Sequence, residues 1–210
     1  MSNNIAKQII ESAKTSLIDS SIESSELLRP KLLYNNHNKG NTVLANIESE
    51  LQVCDSFWFS VAFITRSGMI LLKDLFSELD KKGIEGRLLT TDYLSFSEPK
   101  ALRELLQFNN IEVKVYSEED FHTKGYMFTK TNDRETIKTF IVGSSNLTQT
   151  ALKKNKEWNL KISSLEEGEL IEETNDEFEA MWNEATPLTD EWVNEYEVSY
   201  KKIKATRPKS

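Results

Sequence analysis

Three neighbouring pieces decide the fold: Phe121-His122-Thr123-Lys124-Gly125-Tyr126-Met127-Phe128, then Phe140-Ile141-Val142-Gly143-Ser144-Ser145-Asn146, then Glu157-Trp158-Asn159-Leu160-Lys161-Ile162. Each sets polar groups at the end of an apolar run. On a strand over 122–130, period-2 alternation sends His122 and Lys124 to the same face. A second strand over 136–142 leads through Gly143-Ser144-Ser145 into Asn146, which is placed to cap a helix over 147–154. Glu157 opens a third strand. Imidazole, ammonium, hydroxyl, carboxamide and carboxylate can thus converge at one end of a sheet, a set of groups suited to a phosphodiester.

Working outward, the polar turn at 131–134 makes the first two strands a hairpin. Upstream, 57–64 is a continuous apolar run of the kind buried on both faces of a layered sheet. A helix over 68–82 closes at Gly83, a strand follows at 87–91, a helix opens on Pro99, and a strand returns at 111–116. This alternation predicts an α/β fold, a layered α-β-α sandwich with a mixed, mostly parallel sheet. Residues 1–26 read as an N-terminal helix and arm, and 27–163 as the α/β domain. Residues 164–204 read as acidic helices packed on it, and 205–210 as a linker or tail, so that the chain is expected to be cut from a longer one. Tyr93 and Phe96, in the loop after a strand, either cap the core or stack a base. His37 sits in turn composition and reads as a solvated loop histidine.

A chain of 210 residues, 38% hydrophobic and 10% aromatic, can bury one sizeable core. No apolar run approaches the roughly 20 residues that span a bilayer, and Met1–Asn4 carries no secretory pattern. A single cysteine, Cys54, excludes an intrachain disulfide and reads as a small buried residue. With two histidines and one cysteine there is no zinc site, so no metal or cofactor is expected, and the expected location is cytoplasmic. The net charge of −8 is local. Residues 1–156 hold 20 acids and 20 bases, whereas 157–200 hold 14 acids and one base, Lys161. The acidity of the C-terminal helices neither vetoes nor promotes a nucleic-acid partner.

His-x-Lys followed by Gly-Ser-x-Asn resembles the HKD signature of the phospholipase D superfamily. The fuller form, with Glu157-Trp158-Asn159, resembles a bacterial branch known as nuclease domains. Some members of that branch precede a superfamily 2 helicase in restriction- or repair-like proteins. Ser60-Val61-Ala62-Phe63-Ile64-Thr65-Arg66-Ser67-Gly68-Met69 and Gly86-Arg87-Leu88-Leu89-Thr90-Thr91-Asp92 extend the resemblance over most of 28–162. It implies DNA as substrate and four catalytic residues, His122, Lys124, Asn146 and Glu157. His122 would form a phosphohistidine, Lys124 and Asn146 would hold non-bridging oxygens, and Glu157 would accept the far N–H of His122. Ser144 and Ser145 are the expected substrate-binding residues.

The chain holds one such half-site, yet the two-step reaction uses two imidazoles. The resemblance therefore implies a homodimer through the face that carries His122, with the strand 122–128 and the turn 143–146 facing their copies. It also implies a helicase domain C-terminal to this one in a longer chain. One position departs from the family pattern: Thr129 stands where Asp is common, five residues after Lys124. A catalytically weak module that dimerises or docks nucleic acid is the alternative, and a phospholipid substrate is a third reading, disfavoured by the lack of a basic amphipathic helix.

Overall fold

The computed structural model describes residues 5–36, 40–118, 120–132 and 135–206. His37, the turn residues Asp133 and Arg134, the N-terminal Met1–Asn4 and the end of the basic tail lie outside the described residues. The elements are α1 (Ile5–Leu17), β1 (Lys31–Leu33), α2 (Val43–Leu51), β2 (Ser56–Val61), α3 (Arg66–Lys82), β3 (Glu85–Thr90), α4 (Pro99–Leu105) and β4 (Ile111–Val115). They continue as β5 (Lys124–Asn132), β6 (Glu135–Gly143), α5 (Gln149–Lys153), β7 (Asn159–Leu165), α6 (Glu169–Glu184), β8 (Thr186–Pro187) and α7 (Asp190–Thr206). One mixed eight-stranded sheet runs in the order β1-β7-β6-β5-β2-β3-β4-β8.

The α/β class and the mixed sheet are as the sequence predicts, but the sheet is mostly antiparallel rather than mostly parallel. Only β2–β3 and β3–β4 pair parallel. The reason is the connections. Parallel neighbours need a long crossover, and α3 and α4 supply one each. Two residues separate β5 from β6, and their ladder is antiparallel from Gly125↔Val142 to Asn132↔Glu135.

Two cores lie on the two faces of this sheet. On one face Phe57, Phe59, Val61, Tyr126 and Phe128 pack with Met69, Leu72 and Phe76 of α3, Leu102 of α4 and Val193 of α7. Thr65 caps α3, and Gly83 at φ 67 ends it in the left-handed conformation that favours glycine. On the other face α6 lays Phe178 on Trp58, stacked at 4.2 Å and 12°, and Trp182 on Phe178 at 5.5 Å. Burying such rings contributes about 1.5–3 kcal/mol each, which fixes this otherwise acidic helix to the sheet. Cys54 is buried, and burial pushes its thiol pKa up to about 12, so it is an inert core residue.

α6 leaves the β6-β7-β1 side of its face uncovered. Val142, Leu160 and Leu32 lie in register across three strands and stay exposed, as do Trp158, at 72%, and Leu170. The expected dimer surface is corrected in part here. Tyr126, Met127 and Phe128 are buried in mid-sheet and cannot face a copy. His122, Thr123 and Val142–Ser144 are exposed and can. No helix of the described residues is long and apolar enough to cross a membrane.

Candidate active site

Antiparallel pairing gathers the polar residues at one edge. The start of β5 meets the end of β2 through Val61↔Lys124, and the end of β6 through Gly125↔Val142. The end of β6 meets the start of β7 at Gly143↔Asn159. The approach of β6 to β7 is so close that a Cβ on Gly143 would lie 2.2 Å from the Trp158 carbonyl oxygen, so only glycine fits. His122, Lys124, Ser144, Asn146 and Glu157 therefore stand around one end of the sheet.

β5 begins at Lys124, so His122 precedes the ladder rather than lying in it, although the Thr123 carbonyl still accepts from Ala62 N–H at 3.1 Å. His122 is exposed and Lys124 buried. The Lys124 ammonium donates to the His122 carbonyl at 2.7 Å and sits 2.9 Å from His122 Nδ1. Burial lowers the Lys124 pKa from its ordinary value, while the charge of Glu157 pulls it back up. As an ammonium, Lys124 can only donate, so Nδ1 is its acceptor and the imidazole proton resides on Nε2.

Asn146 does not cap a helix. Its Oδ1 accepts Phe63 N–H at 3.0 Å, while Leu147 N–H donates to the Phe63 carbonyl and Thr65 N–H to the Leu147 carbonyl, each at 3.1 Å. Because an amide NH₂ cannot accept, this bond fixes the orientation of the carboxamide and leaves Nδ2 as a donor. Thr148 caps α5 instead, accepting from Ala151 N–H. The segment 63–68, which the sequence set apart as an upstream likeness, is thus the clamp of the Asn146 loop. Gly68 packs there against backbone, where a Cβ would lie 2.2 Å from Leu147 O.

Glu157 also takes a different partner from the one expected. Its Oε2 accepts from Ser144 Oγ, and no hydrogen bond joins it to His122. Ser144 Oγ in turn accepts Trp158 N–H at 3.2 Å. Ser145, expected to bind substrate, is fully buried. Its carbonyl accepts the Tyr126 hydroxyl at 2.8 Å, its N–H donates to Asn159 Oδ1, and its Oγ accepts from Asn159 Nδ2 at 2.9 Å. In these bonds it holds the loop from within, whereas Ser144 stays exposed. Burial, reinforced by the charge of Glu157, pushes the Tyr126 hydroxyl far above its usual pKa and keeps it a donor.

Asn159 was not singled out as functional from the sequence. The signal was present: a carboxamide in an otherwise apolar strand start has to find partners when buried. Thr129 lies about 16 Å along β5 from Lys124, where it accepts from Lys138 Nζ at 3.1 Å. Its departure from the family pattern does not touch the site.

Beside His122 and Lys124 a cavity of about 480 Å³ opens between the sheet and α6. Gly125 and Phe140 line its floor, and Glu173 and Glu177 stand on its α6 wall.

The fold has counterparts among known proteins. A family model described as "Cardiolipin synthase, PLD-like domain" matches residues 47–182. No curated protein matches in a sequence search. Among solved structures, NucT from Helicobacter pylori is similar at TM-score 0.55 and 15% identity, covering 76% of this chain and 99% of its own. The phospholipase D family member Nuc from Salmonella typhimurium is similar at TM-score 0.55 and 19% identity, over 77% and 100%. Phosphatidylserine synthase from Haemophilus influenzae is similar at TM-score 0.57 and 16% identity, over 91% of this chain and 51% of its own. These likenesses are of fold, and with the family match over well more than half of the sequence they lead to one conclusion: the chain belongs to the phospholipase D-like domain family.

Proposed function

We propose that this chain is a metal-independent phosphodiesterase acting on DNA, a nuclease domain that works through a phosphohistidine in a two-fold homodimer. The observation that carries this reading is the exposed His122 imidazole held against the buried Lys124 ammonium, with Asn146 Nδ2 and Ser144 at the same sheet edge. A fixed cation and a preoriented neutral donor suit the two non-bridging oxygens of a phosphodiester. His122 supplies an imidazole as the nucleophile. The branch resemblance of the Gly-Ser-Ser-Asn and Glu-Trp-Asn pieces supports DNA, and a restriction- or repair-like helicase protein as its setting.

In the first step an imidazole nitrogen of His122 bonds to phosphorus and the bond to the leaving oxygen breaks. His122 of the partner subunit gives that oxygen its proton. In the second step the same partner imidazole deprotonates a water, which displaces His122. Attack from Nε2 requires the proton on Nδ1, the opposite of the tautomer that the Lys124 contact fixes. Arrival of a phosphate gives Lys124 a stronger acceptor and frees Nδ1, so substrate binding activates its own nucleophile. Glu157, released from Ser144, is then the acceptor for Nδ1–H. The exposed strip of Leu32, Val142, Trp158 and Leu160 beside the site supports a subunit contact there.

One observation favours the alternative of a docking module that cleaves weakly: with Lys124 on Nδ1 and Ser144 on Glu157, the site rests in an uncommitted state. Labelled DNA incubated with the protein in EDTA separates the two. Cleavage that persists without metal and disappears in His122→Ala is expected. DNA retained in a gel shift without cleavage would select the module instead.

A further inference from the structure

The loop that follows β3 projects two apolar side chains into solvent beside the site. Leu94 is 51% exposed and Phe96 41%. The loop is nonetheless firmly anchored. Thr91, Ser95 and Ser97 are buried. Ser97 Oγ accepts Ile64 N–H at 3.2 Å, its carbonyl accepts the Tyr196 hydroxyl at 2.9 Å, and Glu98 N–H donates to the Ile64 carbonyl at 2.8 Å. Leu94 at φ 55 and Ser95 at φ 48 both adopt the left-handed conformation that L-residues disfavour. This backbone leaves a leucine and a phenylalanine about half exposed beside the contacts that they make.

What it gains is position. The Phe96 ring lies 4.7 Å from the Phe63 ring, which lies edge-on 5.7 Å from the His122 ring. Two ring-to-ring steps lead from the imidazole to an exposed aromatic. Beyond the loop, at the start of α3 and α4, a cleft carries Arg66, Lys100, Lys201 and Lys204 against Glu98 and Glu197. Arg66 is paired with Glu104 and Lys201 with Glu197, while Lys100 and Lys204 have no carboxylate partner among the described residues. The α6 wall of the cavity beside His122 is acidic, with Glu173 and Glu177. A polyanion leaving the site is repelled by α6 and drawn past Phe96 toward the cleft.

We propose that Phe96, backed by Phe63, is a stacking platform for the nucleobase beside the scissile phosphate, and that the substrate is single-stranded nucleic acid whose backbone continues into the Arg66–Lys100–Lys204 cleft. A base stacked within a duplex has no free face for this ring; a single strand does. The inference rests on the phosphodiesterase reading for its scissile phosphate, and its test is therefore one of binding.

The test uses the full chain carrying His122→Ala, a short fluorescein-labelled single strand, the same strand with abasic residues, and its duplex. Phe96→Ala is expected to weaken the base-bearing strand roughly 5- to 150-fold, to leave the abasic strand unchanged, and Phe96→Trp to restore binding. Lys100→Ala and Lys204→Ala are expected to weaken both strands and flatten the salt dependence. Equal loss on both strands in Phe96→Ala, no loss on either, no binding of the parent to single strands, or tighter binding of the duplex would each overturn the platform. So would a Phe96-dependent preference for phosphatidylglycerol vesicles, which would assign the loop to a membrane surface. Cleavage of bis(p-nitrophenyl) phosphate, which has neither base nor chain, reports the catalytic reading separately. Its absence in the wild type would remove that reading while the binding results still decide the platform.

Discussion

Asn159→Ala tests how the Ser144–Asn146 loop is held. Asn159 is 1% exposed and Ser145 0%, and they exchange two hydrogen bonds, Ser145 N–H to Oδ1 at 3.2 Å and Nδ2 to Ser145 Oγ at 2.9 Å. Truncation leaves the Ser145 N–H and hydroxyl buried without these partners, each costing about 1–3 kcal/mol. Some relaxation toward water brings the expected loss to about 2–4 kcal/mol, a large part of the roughly 5–15 kcal/mol of a typical domain. The assay is urea unfolding, reading the midpoint at unchanged slope. Ser163→Ala is the control on the same face of the same strand. Its hydroxyl meets Thr139 Oγ1 at 3.3 Å, and its loss should cost no more than about 1 kcal/mol. A double-mutant cycle of Asn159→Ala with Ser145→Ala should show a coupling of about 0.5–3 kcal/mol. If Asn159→Ala loses less than about 0.5 kcal/mol, or if the two changes simply add, the loop is not held in this way.

Gly68→Ala places a Cβ against the Leu147 carbonyl and Thr148 Cα, so it should displace the Asn146 loop and lower both stability and turnover; wild-type behaviour in melting and turnover assays would refute the clamp. Glu157→Gln should keep fold and oligomer while lowering turnover about 10²-fold or more, and unchanged kcat would reduce Glu157 to a partner of Ser144. Lys124 has a folded-state pKa below its ordinary value, so in the window between them the unfolded chain binds more protons and stability rises with pH. Relative to Lys124→Met, the wild type should therefore gain stability as pH climbs toward the unfolded lysine value, 10.5, in urea midpoints compared across that range; a flat or falling difference would contradict the buried ammonium.

What was legible in the sequence was local. His122-x-Lys124, the glycine at the β6 exit and Glu157 announce themselves by spacing, and Gly83 and Pro99 mark helix ends that the structure keeps. What failed depended on partners distant in sequence. Asn146 looks like a helix cap until Phe63, 83 residues away, takes its carboxamide oxygen. Ser144 and Ser145 are indistinguishable as letters, yet Asn159 and Tyr126 bury the second while the first stays exposed. Strand direction failed for a related reason: helical alternation over 57–116 is a true parallel signal, but it says nothing of the meander from β5 to β7 that supplies most of the site. The acidic character of α6 was visible, but not that its Glu173 and Glu177 would wall the cavity beside His122.

The central claim is that two His122 side chains share one site, because a nitrogen bonded to phosphorus cannot also protonate the leaving oxygen. Wild-type and His122→Ala subunits carrying different tags, mixed and purified as the mixed dimer, test it directly by their rate of DNA cleavage in EDTA. A shared site predicts a mixed dimer that is nearly inactive. A rate of about half the wild type, or a wild-type protein that cleaves as a monomer, would contradict the account.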